Sequence, residues 1–129
     1  MTDGSSPHRT SKHYNGWTEE NAQGFTTVTW LHGRFESQYV QAHIRDADVR
    51  ATLPAPAHTF PGIRSAVLSS LARTHQFVDT LYAIEKVATF RPENTTPAQK
   101  AFAVARMAAG AAMVRDLWCT AWITSGRGA

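Results

Sequence analysis

Residues 96–124 read TPAQKAFAVARMAAGAAMVRDLWCTAWIT, and this stretch decides the fold class. Thr96 is suited to cap a helix, Pro97 fits the first helical position, and Gln99 completes a capping box with Thr96. Beyond that start, Val104, Met107, Ala108, Ala111, Val114, Leu117, Trp118 and Trp122 recur at helical spacing. The run stops near Ser125-Gly126. Its middle, MAAGAA (107–112), offers side chains small enough for a neighbouring helix to come close.

Toward the N-terminus, Arg91-Pro92 closes an earlier helix, because the residue before proline is pushed out of the helical region. That helix is expected over 62–90, where Ile63, Val67, Leu71, Val78, Leu81, Ile84 and Ala88 recur at steps of three, four or seven. Residues 46–61 (DADVRATLPAPAHTFP) carry Pro54, Pro56 and Pro61 and read as a connection. Over 28–45 the pattern is again helical, with Val28, Leu31, Phe35, Tyr39 and Ala42 on one narrow stripe. No strand-like alternation of useful length and no internal repeat interrupts this. The expectation is an all-α fold of three long helices, up-down and bundle-like, with an extended N-terminal arm packed across them. The arm takes residues 1–27, the helical domain 28–125 and a tail 126–129.

A chain of 129 residues with 43% hydrophobic residues suits one domain with one core. No apolar run is long enough to span a bilayer, so no transmembrane segment is expected. The opening MTDGSSPHRTSKHYNG is polar, so a signal peptide is not expected and the chain reads as cytoplasmic as given. Cys119 is the single cysteine, which excludes an internal disulfide and leaves the redox compartment open. The net charge of +3 comes from dispersed Arg and Lys, a pattern of solvated surface more than of a nucleic-acid footprint. No P-loop, paired-cysteine or Ser/His/Asp signature is present.

The segment with chemical content is Leu31-His32-Gly33-Arg34-Phe35-Glu36. His32 and Glu36 are four apart and leave one helix face one turn from each other. Zinc accepts imidazole nitrogen and carboxylate oxygen together, so this spacing lets two ligands converge on one cation. The same spacing also serves an ordinary helix-surface pair. His43 lies between them in angle, further along the helix. His75, on the apolar side of the second helix, reads as a core-edge residue with a satisfied hydrogen bond, and His58 in the Pro-rich connection as solvated. Trp17, Trp30, Trp118 and Trp122 could stack on nucleobases, although Trp118 and Trp122 are more simply core or interface. Cys119 has no neighbour to activate it.

HYNGW (13–17), GFTT (24–27) and LHGRFES (31–37) together resemble the closing metal-ligand segment of the zinc-dependent phospholipase C and single-strand-specific nuclease family. THQFVDTLYAIEKVATF and FAVARMAAGAAMVRDLWCTAW are similar to the last helices of its bacterial members. The chain thus looks like a truncated relative, the C-terminal half. In that family an HxxxE or HxxxD pair supplies two ligands to one of three clustered zincs, and His32 and Glu36 match it. A further ligating histidine sits in a Pro-Leu-His-like tripeptide upstream. Here Pro7-His8-Arg9 stands there, and an ungapped match puts Arg9 at the ligand position, with His8 beside it and His13 as another candidate. The family's N-terminal Trp, early His and Asp, and HxxxD motif have no counterpart.

The resemblance therefore implies one zinc site of three, and a substrate of nucleic-acid or phospholipid type. The expected function of the chain alone is a metal- or partner-binding helical module. The alternative is a metal-dependent phosphoric-diester hydrolase completed by a partner chain. Apolar residues in excess of a three-helix core imply a homo-oligomer, or pairing with a separately encoded N-terminal half. Members of the family are typically secreted.

Overall fold

A computed structural model describes residues 3–126. Among them the regular structure is helical and no strand forms, as the periodicities require. Residues 1–2 of the arm and 127–129 of the tail lie outside the described residues.

Helix α1 covers 31–43 in three joined pieces: α-helical Leu31–Gly33, a wide π segment Arg34–Tyr39, and α-helical Val40–His43. Its stripe of Leu31, Phe35 and Tyr39 is fully buried, whereas Val28 precedes the helix and is exposed. The helix is therefore shorter than the expected 28–45. Helix α2, Asp46–Thr52, occupies what reads in sequence as connection. All three prolines of that connection come after residue 52, so nothing forbids a helix before them. Asp48 accepts the backbone N–H of Arg45 at 3.1 Å and anchors its first turn.

The expected helix over 62–90 is two helices, α3 (Ile63–His75) and α4 (Val78–Val87). The chain turns at Gln76-Phe77, where the Phe77 N–H bonds the Thr74 carbonyl at 3.0 Å. The Phe77 ring is thereby aimed at Phe102, with centroids 6.4 Å apart. Leu71 and Val78, on either side of the break, are seven apart, a two-turn step that an unbroken helix would also show, which is why the pattern alone does not reveal it. Helix α5, Pro97–Ser125, matches its expected span. Its capping box is closed, with Gln99 N–H on Thr96 Oγ1 at 3.2 Å and Thr96 N–H on Gln99 Oε1 at 2.9 Å. The buried Gln99 amide also donates to the Ala88 carbonyl at 2.6 Å, fixing the start of α5 to the end of α4.

The core runs through Leu31, Phe35, Tyr39, Val78, Leu81, Tyr82, Phe90, Phe102, Ala103 and Ala108. Phe35 and Tyr39 each meet Phe90 near 5 Å in edge-to-face geometry (4.8 and 4.9 Å). Each large side chain so buried contributes about 1.5–3 kcal/mol. Buried Glu85 of α4 binds Arg34 of α1 and accepts the Phe90 N–H at 2.8 Å, a polar clamp beside that core. The arm does pack across the helices. Its two tight turns, Asp3–Ser5 and Pro7–Thr10, lie against α3, with the first also on α5 and the second on α4. No helix among the described residues is long and apolar enough to cross a membrane.

Candidate metal centre

The arm reaches α1 because its backbone is fixed at several points. Tyr82 of α4 is wholly buried, accepts the Gly16 N–H at 3.0 Å and donates to the His13 carbonyl. Gly16 has φ +118°, and a Cβ there would lie 2.8 Å from the Thr27 carbonyl oxygen, so only glycine fits. Trp17 stacks on His13 at 3.8 Å and packs edge-on against Phe25 and Tyr82. HYNGW is thus the bolt that holds the arm to the helices. One consequence reaches α1 directly, since the Asn15 side chain accepts the His32 backbone N–H at 3.4 Å.

Upstream, Pro7 opens the second tight turn with its fixed φ, and Thr10 donates back to the Pro7 carbonyl at 2.6 Å. This turn drives His8 inward until its side chain is fully buried. The His8 ring stands edge-on to Phe35 at 5.8 Å and lies 5.0 Å from the His32 ring. Three groups now converge. His8 Nε2 is 3.2 Å from Glu36 Oε1, and His32 Nε2 is 2.8 Å from Glu36 Oε2. One candidate ligand atom from each of His8, His32 and Glu36 lies within 4.8 Å of the others. The π segment carries Glu36, and the Val40 N–H reaches back five residues to the Phe35 carbonyl. Such single wide turns inside helices are frequent at functional sites.

Arg9 completes the cluster. Its guanidinium donates to both Glu36 oxygens, at 3.1 and 3.2 Å from Nε and 2.9 Å from Nη2, and Nη2 also lies 2.7 Å from His32 Nε2. Burial on its own would raise the Glu36 carboxyl, but hydrogen bonds from His8, Arg9 and Ser6 outweigh it and hold Glu36 well below the usual carboxylate range. Glu36 is therefore an anion, the state a metal needs.

The contacts of His32 Nε2 conflict with one another. Arginine only donates, and an imidazole nitrogen holds either a lone pair or a proton. A lone pair accepts from Arg9 but then faces Glu36 Oε2 acceptor to acceptor. A proton satisfies Glu36 but opposes the Arg9 N–H. His8 turns Nε2 toward Glu36, and its Nδ1, on the other edge of the ring, is buried with no hydrogen-bond partner among the described residues. The donor set fits a cation of the zinc class, which is bound by imidazole nitrogen and carboxylate oxygen in this combination. Tetrahedral ligands at zinc distances sit about 3.3 Å from one another, close to the 3.2 Å between His8 Nε2 and Glu36.

Of the residues singled out in the sequence, His8, His32 and Glu36 come together, and Arg9 comes with them. His13 does not: its ring nitrogens face Thr18 at 3.1 Å and Glu19 at 3.7 Å. His43 bonds the Arg91 carbonyl at 2.9 Å, and His75 the Thr10 carbonyl at 2.9 Å. His58 has an exposed side chain but binds Asp116 at 2.9 Å, a pairing across 58 residues that no local pattern announces. Trp118 and Trp122 are exposed, so neither belongs to the core. Ser6 was not visible as a site residue. It is buried, 3.3 Å from His8 Nε2, and a serine before Pro-His carries no distinguishing signal. Compared with family models, curated proteins and solved structures, the chain matches none.

Proposed function

We propose that this chain is a metal-binding helical module whose centre takes one zinc-class cation on His8, His32 and Glu36. The observation that carries the reading is the convergence of those three groups, with a His32–Glu36 contact of 2.8 Å that no single proton reconciles with Arg9. In the metal-free protein the Arg9 guanidinium acts as the resident cation of the site, neutralising Glu36. Metal binding requires that guanidinium to withdraw, and its side chain is 35% exposed, which leaves it a route to solvent. The ligand set also agrees with the resemblance of LHGRFES to zinc-dependent phosphodiesterases.

A second reading is a phosphoric-diester hydrolase completed by another chain, and what favours it is the number of ligands. Three protein ligands leave zinc a position for water, which the metal activates as a nucleophile. The end of α5 supports a partner, because Trp118, Trp122 and Ile123 are all exposed there. A second copy or a separately encoded N-terminal half would cover it. Light scattering separates the two: self-association of the purified chain favours the second copy, and a stable monomer the other half.

Calorimetry with zinc tests the central proposal. Wild type takes up one zinc, His32→Ala takes up none, and His75→Ala matches wild type. Absence of uptake by wild type, or full uptake by His32→Ala, overturns it.

A further inference from the structure

A second cluster of charge lies away from the metal centre and shares no residue with it. Between α3, α5 and the Pro-rich connection opens a cleft of about 350 Å³. Exposed Arg73 and half-buried Arg106 supply its cationic groups, Asp116 its single acid, His58 an imidazole, and Phe60, Phe77 and Met113 an apolar floor.

Burial alone would raise Asp116, but Arg115 at 2.8 Å and the His58 backbone N–H at 3.3 Å keep it ionised below its usual range. Its other oxygen takes His58 Nδ1 at 2.9 Å, so both oxygens are engaged. Asp116 and Arg115 cancel. Arg73 and Arg106 then remain, and neither has a carboxylate partner among the described residues. Arg106 is the sharper case. Its guanidinium lies 3.7 Å over the centre of the Phe77 ring, and its Nε is buried with no hydrogen-bond acceptor. Burial also depresses its proton affinity, the sign of a cation held without a counter-charge. An unmatched half-buried cation is costly to the fold, and a guanidinium fork fits carboxylate and phosphate oxygens in pairs.

We infer that this cleft binds a small organic oxyanion, a carboxylate or phosphate carried on an aromatic or apolar body. Arg106 and Arg73 take the oxygens, the Ser70 and Thr74 hydroxyls border the same space, and Phe60, Phe77 and Met113 take the body. A cleft of about 350 Å³ has room for a single-ring ligand.

Calorimetric titration in the presence of a chelator, which removes the metal centre from the measurement, uses phenyl phosphate and benzoate against benzamide and inorganic phosphate. The full chain binds one or both aromatic anions, benzamide at least tenfold more weakly than benzoate, and inorganic phosphate at least tenfold more weakly than phenyl phosphate. Preference between phenyl phosphate and benzoate identifies the head group. Arg106→Met and Arg73→Met each weaken binding at least tenfold. Because Arg106→Met removes an unpaired charge while keeping the side-chain bulk, its ligand-free melting temperature stays level or rises, whereas a residue needed for the fold would lower it. Absence of binding by both aromatic anions, equal binding of a bound anion and its control (benzamide for benzoate, inorganic phosphate for phenyl phosphate), or unchanged affinity in both variants overturns the inference.

Discussion

Replacing Arg9 with alanine should tighten zinc binding, opposite to the usual effect of deleting a charged residue beside a site. Arg9 makes four close contacts to Glu36 and His32, the atoms the metal would use. A hydrogen bond to a charged group contributes about 1.5–3 kcal/mol. The Arg9 side chain is 35% exposed, so solvent screening reduces the whole interaction to about 1–2 kcal/mol. A metal on His32 and Glu36 would compete with the guanidinium for one carboxylate and one imidazole, so this stabilisation of the metal-free form would oppose metal uptake by the same amount. At 1.4 kcal/mol per decade, Arg9→Ala should bind zinc about 5–30-fold more tightly than wild type. Competition against a fluorescent zinc chelator at neutral pH reads the ratio directly. The metal-free variant should also lose about 1–2 kcal/mol in urea unfolding, since the lost contacts stabilise that state. Equal or weaker zinc binding by Arg9→Ala would refute the competition.

Further perturbations probe the frame and the charge of the site. Phe35→Ala should cost about 3–5 kcal/mol in urea unfolding, because its fully buried ring supports both His8 and Phe90; a loss below about 1 kcal/mol would mean the ring is not central. Glu36 has a depressed folded-state pKa, so its contribution to metal-free stability is present above the unfolded carboxyl value of about 4.3 and is lost as pH falls below it. Glu36→Gln should flatten that acid limb of a melting-temperature profile, and an unchanged limb would contradict the assignment. Glu85→Ala should cost about 3 kcal/mol by orphaning Arg34 and the Phe90 N–H, with Glu85→Gln milder because it still accepts that N–H. Equal losses in the two variants would refute the clamp.

The legible parts of the fold were those with local causes. Thr96, Pro97 and Gln99 form a cap within four residues, and the start of α5 was readable for that reason. Leu31, Phe35 and Tyr39 are set by spacing alone. The turn at Phe77 was not readable, because Leu71 and Val78 on either side of it keep the two-turn spacing of a continuous helix. Helix α2 was hidden by prolines that begin only after its end.

At the site, His32 and Glu36 are visible as a pair one turn apart. The choice between His8 and Arg9 was not, since both enter the cluster, one as a buried imidazole and the other as a guanidinium bound to Glu36. That outcome depends on the inward turn at Pro7 and on the bolt formed by Gly16 and Tyr82, contacts that span 66 residues.

The most direct measurement is a crystal structure grown with zinc, with anomalous scattering recorded on both sides of the zinc absorption edge. One strong peak is expected about 2.0–2.2 Å from nitrogens of His8 and His32 and an oxygen of Glu36, with the Arg9 guanidinium withdrawn. A map with no peak among these residues, and Arg9 still bridging Glu36 and His32, would contradict that expectation.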